Sequence, residues 1–152
     1  MRIGLIADTH GLLRPQALDA MAGSDWIVHA GDIGDPSILE RLAGIAPVTA
    51  VRGNNDKGEA YARVPMTDVL QAGELLVYVI HDLSTLDLDP AAAGFHVVVA
   101  GHSHQPSQHE RDGVLYVNPG SAGPRRFKLP VSAGRLLVAG ARVEAQLLEL
   151  PV

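Results

Sequence analysis

Three apolar runs in the first 54 residues, "RIGLIAD", "DWIVHAGD" and "APVTAVRGN", carry few polar side chains until their last positions. A run with apolar residues at both odd and even positions is a strand covered on both faces. Between the runs lie two short helical segments. "PQALDAMAG" has proline near its start and glycine after its end, and "DPSILERLAG" offers Asp35 as N-cap with Pro36 at the first helical position. Strands joined through helices at this spacing imply right-handed crossovers and a parallel sheet.

The rest of the chain is richer in strand. "ELLVYVIHD" and "HVVVAGHSH" are apolar runs, with a short helical candidate at "LDPAAAG" between them. "SQHERDG", "VLYVNPG", "PVSAGRLLVAG" and "ARVEAQLLEL" follow, and the glycine-bearing turns "RDG" and "AG" predict antiparallel hairpins. A parallel half followed by a meander predicts an α/β fold of two packed mixed sheets with helices on the outer faces. No linker or internal repeat divides residues 1–152, so a single domain is expected.

Composition narrows the function. A hydrophobic content of 47% in 152 residues supports an unstapled core. Cysteine is absent, which removes disulfides and thiolate chemistry and fits the cytoplasm. The N-terminal apolar run is short and broken by Asp8, a first strand and not a signal peptide, and no window is long enough to cross a bilayer. Net charge is -5 and only "PRRFK" (124–128) is locally basic, which disfavours bulk nucleic acid or an anionic membrane as partner. A small phosphate-bearing substrate stays open, because a bound metal's field would outweigh that background.

The strand exits carry the chemistry. The apolar runs end in Asp8 and His10, in Asp32, in Asn54, Asn55 and Asp56, in His81 and Asp82, and in His102 and His104. In an open α/β sheet the carboxyl ends of the strands form the ligand-binding edge. Seven of these side chains, Asp8, His10, Asp32, Asn54, His81, His102 and His104, exceed the needs of one ion. They suit two, roughly 3.5–4 Å apart and sharing a carboxylate. Asp and His donors accept manganese, the first expectation, or iron, nickel, zinc or magnesium. In extended chain, residues i and i+2 point the same way, so His102 and His104 are expected to face one cavity. His29, His96 and His109 fall outside the pattern and read as structural or exposed, with His29 a possible support to the ligands.

These blocks, "DTH" (8–10), "GD" (31–32), "GNND" (53–56), "HD" (81–82) and "GHSH" (101–104), resemble the ordered motifs of the calcineurin-like metallophosphoesterase superfamily. The short length and "NPGSAGPRR" (118–126) look like its small prokaryotic YfcE-type phosphodiesterases. The resemblance covers nearly the whole chain. It implies a four-layer α/β/β/α sandwich, with one metal on Asp8, His10, Asp32 and His104 and a second on Asp32, Asn54, His81 and His102. Asp32 would bridge the ions, a hydroxide between them would be the nucleophile, and Asp32, Asn54 and His81 would carry the catalysis. Asn55 stands where larger members place a leaving-group histidine. Asp82 stands where glycine is common, with solvent as its expected surrounding. Asn118 is expected to support the metal ligands, and Ser121 or Arg125 to reach the substrate phosphate, with Arg125 and Arg126 reading equally well as surface charges; Tyr61 and Phe127 are candidate rings near the site that read equally well as core or surface.

The leading expectation is a metal-dependent phosphodiesterase acting on a small phosphate ester. The rivals are a non-catalytic binding module of the same fold, and a phosphomonoesterase or cyclic-nucleotide hydrolase. Substrate identity and homo-oligomer formation are left open by the sequence, and with 4% aromatic residues few rings exist to stack a base.

Overall fold

The computed structural model describes residues 1–152. The chain runs through β1 (Arg2–Ile6), α1 (Pro15–Met21), β2 (Trp26–His29), α2 (Ser37–Ala43), β3 (Val48–Ala50), β4 (Thr67–Ala72), β5 (Leu75–Ile80), β6 (Val97–Val99), β7 (Ser107–Arg111), β8 (Val114–Asn118), β9 (Ser132–Ala139) and β10 (Arg142–Glu149). Single 3-10 turns lie at Glu59–Tyr61 and Leu83–Thr85. The strands form two five-stranded sheets, β10-β9-β1-β2-β3 and β4-β5-β6-β8-β7.

Within the first sheet, β1, β2 and β3 run parallel as their apolar runs predict, and β9 closes antiparallel on β1. Alternation along β1 sorts its side chains. Ile3 and Leu5 pack between the sheets with Val28, Val77, Val97 and Leu136, while Ile6 packs on the helix side with Met21, Ile27 and Leu42. Each such side chain, when fully buried, contributes roughly 1.5–3 kcal/mol, which is what holds the two sheets in contact. In the second sheet β5, β6 and β8 are parallel, so the exits of β1, β2, β3, β5 and β6 can meet at one end.

Three local expectations change. Helix α2 begins at Ser37 rather than Pro36, although Asp35 still does a cap's work: its Oδ1 accepts the Ser37 N–H at 3.0 Å. "LDPAAAG" forms a turn and not a helix. Its one i to i−4 bond, Ala93 N–H to Asp89 O, ends at Gly94, whose φ is +87°. The outer layer over the second sheet is therefore thin, a 3-10 turn and loop in which Leu86, Leu88 and Phe95 cover Tyr78, Ile80 and Val98. Strand β4, unmarked by any apolar run, is an edge strand that pairs only with β5 in its sheet and alternates exposed Thr67, Val69 and Gln71 with more buried residues. No helix is long and apolar enough to cross a membrane.

Candidate metal centre

All seven expected side chains gather at the shared carboxyl end of the parallel strands. Their donor atoms form two groups. Asp8, His10 and His104 make one and Asp32, His81 and His102 the other, with the atoms of each group within 4.8 Å of one another. Asp32 Oδ2 joins them, lying 3.6 Å from His10 Nε2 and 3.3 Å from His81 Nε2. Asn54 Oδ1 adds a neutral oxygen 3.2 Å from His81 Nε2.

The backbone is bent to aim these groups. Asp8, His10, Asp32, His102 and His104 all have φ between +46° and +74°. Asp and His tolerate this left-handed region better than most residues, but each instance still costs about 1 kcal/mol or more and persists only where its surroundings enforce it. His102 and His104 are thus not extended as their i, i+2 spacing suggests, yet both still face the one centre: His104 joins Asp8 and His10, and His102 joins Asp32 and His81, the grouping the resemblance implies. Two glycines make room for the arrangement. A Cβ on Gly31 would meet His81 Nδ1 at 2.6 Å, and one on Gly53 would fall on the Asp32 carboxylate.

The electrostatics describe a site with too many lone pairs. Burial pushes the Asp8 carboxyl up to about 7 despite the opposing charge of His81, and Asp8 Oδ1 is buried with no hydrogen-bond partner. That oxygen faces His104 Nε2 at 3.6 Å and His10 Nε2 at 3.8 Å. Burial lowers His104 to about 4, so its ring is neutral, and its Nε2 sits 3.3 Å from His10 Nε2. Around Asp32, burial works against the charge, but hydrogen bonds from His81 and the Asn55 N–H bring the carboxyl down to about 2. Burial likewise opposes a charge on His81; Asp32 and the Ala30 carbonyl outweigh it, and its pKa is raised. His81 Nδ1–H donates to Ala30 O at 2.7 Å, which aims Nε2 at two oxygens, Asp32 Oδ2 and Asn54 Oδ1. An unpartnered buried carboxylate oxygen and converging acceptors are what a cation satisfies, and the nitrogen and oxygen donors suit a borderline divalent metal.

Residues outside the expected set hold the loops in register. Asn55 is no proton donor to substrate here; its backbone and side-chain N–H groups donate to Asp32 Oδ1 and Oδ2 at 3.0 and 3.2 Å. Asp56, 3% exposed, accepts the N–H groups of Ile33, Gly34 and Gly53 and so ties the β2 exit to the β3 exit. Asn118 donates to Gly101 O and Ser103 Oγ, bracing the histidine loop as expected. Ser121 is buried and donates to Asp8 O, so it supports the first exit and does not face substrate. Asp82 is not simply solvated: it accepts from Ser84 and lies 3.7 Å from His102 Nε2. Tyr61 belongs to the helix-side core, whereas Phe127 is 89% exposed and Arg125 and Arg126 lie on the surface. His96 accepts the Leu76 N–H, and His109 stacks on Tyr116.

His29 is the most informative residue that its sequence position left unassigned. It is fully buried, its Nδ1 accepts the Gly31 N–H at 3.1 Å, and its Nε2–H donates to Thr9 Oγ1, which itself donates to Ile33 O. The ring bridges the Asp8–His10 loop and the Asp32 loop, and it can do so only when neutral. Burial lowers it to about 4 against the charges of Asp56 and Asp32. The unfolded chain therefore takes up the extra proton first as pH falls below 6.5. The stability from neutral His29 is complete above pH 6.5 and is lost on the way down to 4, amounting to about 3 kcal/mol. Because the raised Asp8 carboxyl acts in the opposite sense over this range, the loss is read as a difference: in urea unfolding of metal-free protein from pH 7.5 to 4.5, wild type is expected to lose stability relative to His29→Asn as pH falls, and a gap that does not change with pH would refute the assignment.

Residues 1–140 match the calcineurin-like phosphoesterase superfamily domain. A probable metallophosphoesterase of Methanocaldococcus jannaschii is 32% identical, the alignment covering 99% of this chain and 82% of that protein. Phosphodiesterase YfcE of Escherichia coli K12 is 29% identical over 90% of this chain and 87% of its own. In fold, vacuolar protein sorting 29 of Cryptosporidium parvum superposes with a TM-score of 0.81 at 21% identity, covering 95% of this chain and 88% of that one. With the motif residues gathered at one end of its paired sheets, the chain belongs to the calcineurin-like phosphoesterase superfamily.

Proposed function

We propose that the chain hydrolyses small phosphodiesters using two divalent cations, manganese being the first to test. Asp8, His10, Asp32 and His104 would hold one cation, and Asp32, Asn54, His81 and His102 the other. Such a pair, when bound, polarises phosphate oxygens and supplies a water acidic enough to act as nucleophile near neutral pH. The observation that carries the reading is Asp32 Oδ2 standing between two ligand groups, with Asp8 Oδ1 buried and unpartnered beside them.

The chain's own contribution is orientation. The Ala30 carbonyl fixes the His81 tautomer, Asn55 holds both Asp32 oxygens, and the His102 N–H donates to Asp8 Oδ2 at 3.1 Å, so the donors are set before substrate arrives. Because the Asn55 amide is committed to Asp32 and has no acidic proton, no protein acid at that position protonates the leaving alcohol. Esters with acidic leaving groups are therefore the favoured substrates. Net charge of -5 and the lack of a broad basic face support a small substrate over nucleic acid or membrane, and the cytoplasm stays part of the proposal.

Metal analysis of purified protein, with hydrolysis of a p-nitrophenyl diester and monoester before and after chelation, tests the reading. Chelation is expected to abolish diester hydrolysis, manganese to restore it, and the diester to be turned over at least tenfold faster than the monoester. Protein that takes up no metal and hydrolyses neither would instead be a binding module. A monoester preference would move the substrate class.

A further inference from the structure

A cavity of about 200 Å³ opens beside His102 on the outer face of the second sheet. It exists because the crossover from β5 to β6 has no α-helix, leaving only the 3-10 turn Leu83–Thr85 over this end of the strands. Val98 and Ala100, both more than nine-tenths buried, line it from the sheet, and Leu83 lines it from the turn. Tyr116 and His109, from the paired strands β8 and β7, form a further wall with their rings stacked at 5.1 Å and 4°, and Ser103, Ser107 and Asn118 add polar groups to the lining. The sequence is poor in aromatic residues, yet one of its three tyrosines stands here on a coplanar imidazole.

The chemistry of this lining is divided. Leu83, Val98, Ala100 and Val117 give one side of the space an apolar surface suited to an apolar group, while polar side chains line the rest. A ring pair adds a stacking partner for a flat, conjugated occupant. Of the polar lining residues, His102 and Asp82 connect the cavity to the metal centre. His102 lines the cavity and also places its donor atom within 4.8 Å of those of Asp32 and His81, while Asp82 lies 3.7 Å from His102. A phosphate bound through a cation on those residues would lie next to the cavity.

We infer that this cavity is the subsite for one ester arm of the substrate, and that the arm it takes is a flat, largely apolar ring, an aryl group or a nucleobase. The inference rests on the phosphodiesterase reading and goes beyond it in naming the substrate class and the residues that select it, Val98, Ala100, Tyr116 and His109.

The test keeps p-nitrophenol as leaving group and varies the other arm: methyl, phenyl or thymidine 5′. Each diester is compared with itself across proteins, so intrinsic reactivity cancels. Ala100→Leu, which fills the cavity, and Tyr116→Ala, which removes the stacking wall, are each expected to lower the phenyl-to-methyl ratio of kcat/KM about tenfold, chiefly through KM. A matching loss for the thymidine diester assigns a nucleobase as well; a loss confined to phenyl assigns an aryl arm. Titrating phenol, an uncharged aryl probe, into metal-free protein is expected to shift the Tyr116 and His109 ring resonances, a readout independent of turnover. An unchanged ratio in both variants, or equal losses on methyl and phenyl, overturns the subsite while leaving the phosphodiesterase reading intact. Wild-type protein that hydrolyses no diester with manganese supplied overturns both.

Discussion

Asp32→Asn is expected to leave a folded protein that no longer retains two metal ions and whose diester kcat/KM has fallen by more than about a thousandfold. The argument is electrostatic. Two dications roughly 4 Å apart repel by about 16 kcal/mol even at an effective dielectric of 20, so they share a site only with negative charge between them. Asp32 Oδ2 is the carboxylate oxygen near both ligand groups, 3.6 Å from His10 Nε2 and 3.3 Å from His81 Nε2. Asparagine keeps nearly the same shape and its amide oxygen can still accept the Asn55 N–H, so the loop has reason to stay in place. The charge is removed, and with it one oxygen, the acceptor of the Asn55 side-chain amide that also faces His10 and His81. Metal stoichiometry by elemental analysis, circular dichroism and diester kinetics measure the three parts. Two retained equivalents, or activity within tenfold of wild type, would dismiss Asp32 as the link between ions. Loss of the fold would instead mean that its carboxylate is chiefly structural, a result that Asn55 and His81 contacts make answerable by comparing Asp32→Asn with Asp32→Ala.

How much of this was legible in the sequence depends on the residue. The strand exits were, because Asp8, Asp32, His81 and His102 interrupt or follow runs that burial otherwise keeps apolar, and such interruptions stand out without any structure. The backbone that delivers the histidines was not. An i, i+2 spacing suggests extended chain, but positive φ at both His102 and His104 aims them instead, and single residues visiting the left-handed region leave no periodic mark. His29 and Asp56 hid for a related reason. One sits inside an apolar strand and the other at the end of an Asn-rich turn, both commonplace positions, and their roles arise from partners 20 to 23 residues away in the chain. Strand β4 escaped notice because an edge strand with one solvated face has no apolar run to show. The cavity beside His102 depends on a helix that the crossover lacks, and "LDPAAAG" reads as helical until Asp89 and Gly94 are seen to close it after one turn.

Asp56→Ala is expected to cost about 4 kcal/mol, the largest stability loss of any single change at this end of the molecule. Its carboxylate is 3% exposed and accepts three backbone N–H groups, from Ile33, Gly34 and Gly53, at 2.9 to 3.1 Å. Alanine leaves the donors of Ile33 and Gly53 buried with nothing to accept them, at roughly 1–3 kcal/mol each, and removes a charge-assisted bond from Gly34 as well. For a domain of this size about 4 kcal/mol corresponds to a fall in Tm of about 12 °C. Asparagine at the same position keeps one acceptor oxygen but turns an amide N–H toward the donors, so Asp56→Asn should fall between alanine and wild type. Differential scanning calorimetry of metal-free protein measures both, and a Tm within about 3 °C of wild type for the alanine variant would contradict the argument. The functional consequence follows from where the three donors lie. Ile33 and Gly34 follow Asp32 directly, and Gly53 precedes Asn54, so Asp56 fixes the distance between the shared carboxylate and the amide that faces His81. Even at a temperature where Asp56→Asn stays folded, its metal affinity should drop by about 10- to 100-fold, the loss typical when a group that orients a ligand is removed. Thermal and metal-binding defects that appear together, and in the order alanine, asparagine, wild type, would make Asp56 the brace on which the ligand geometry depends.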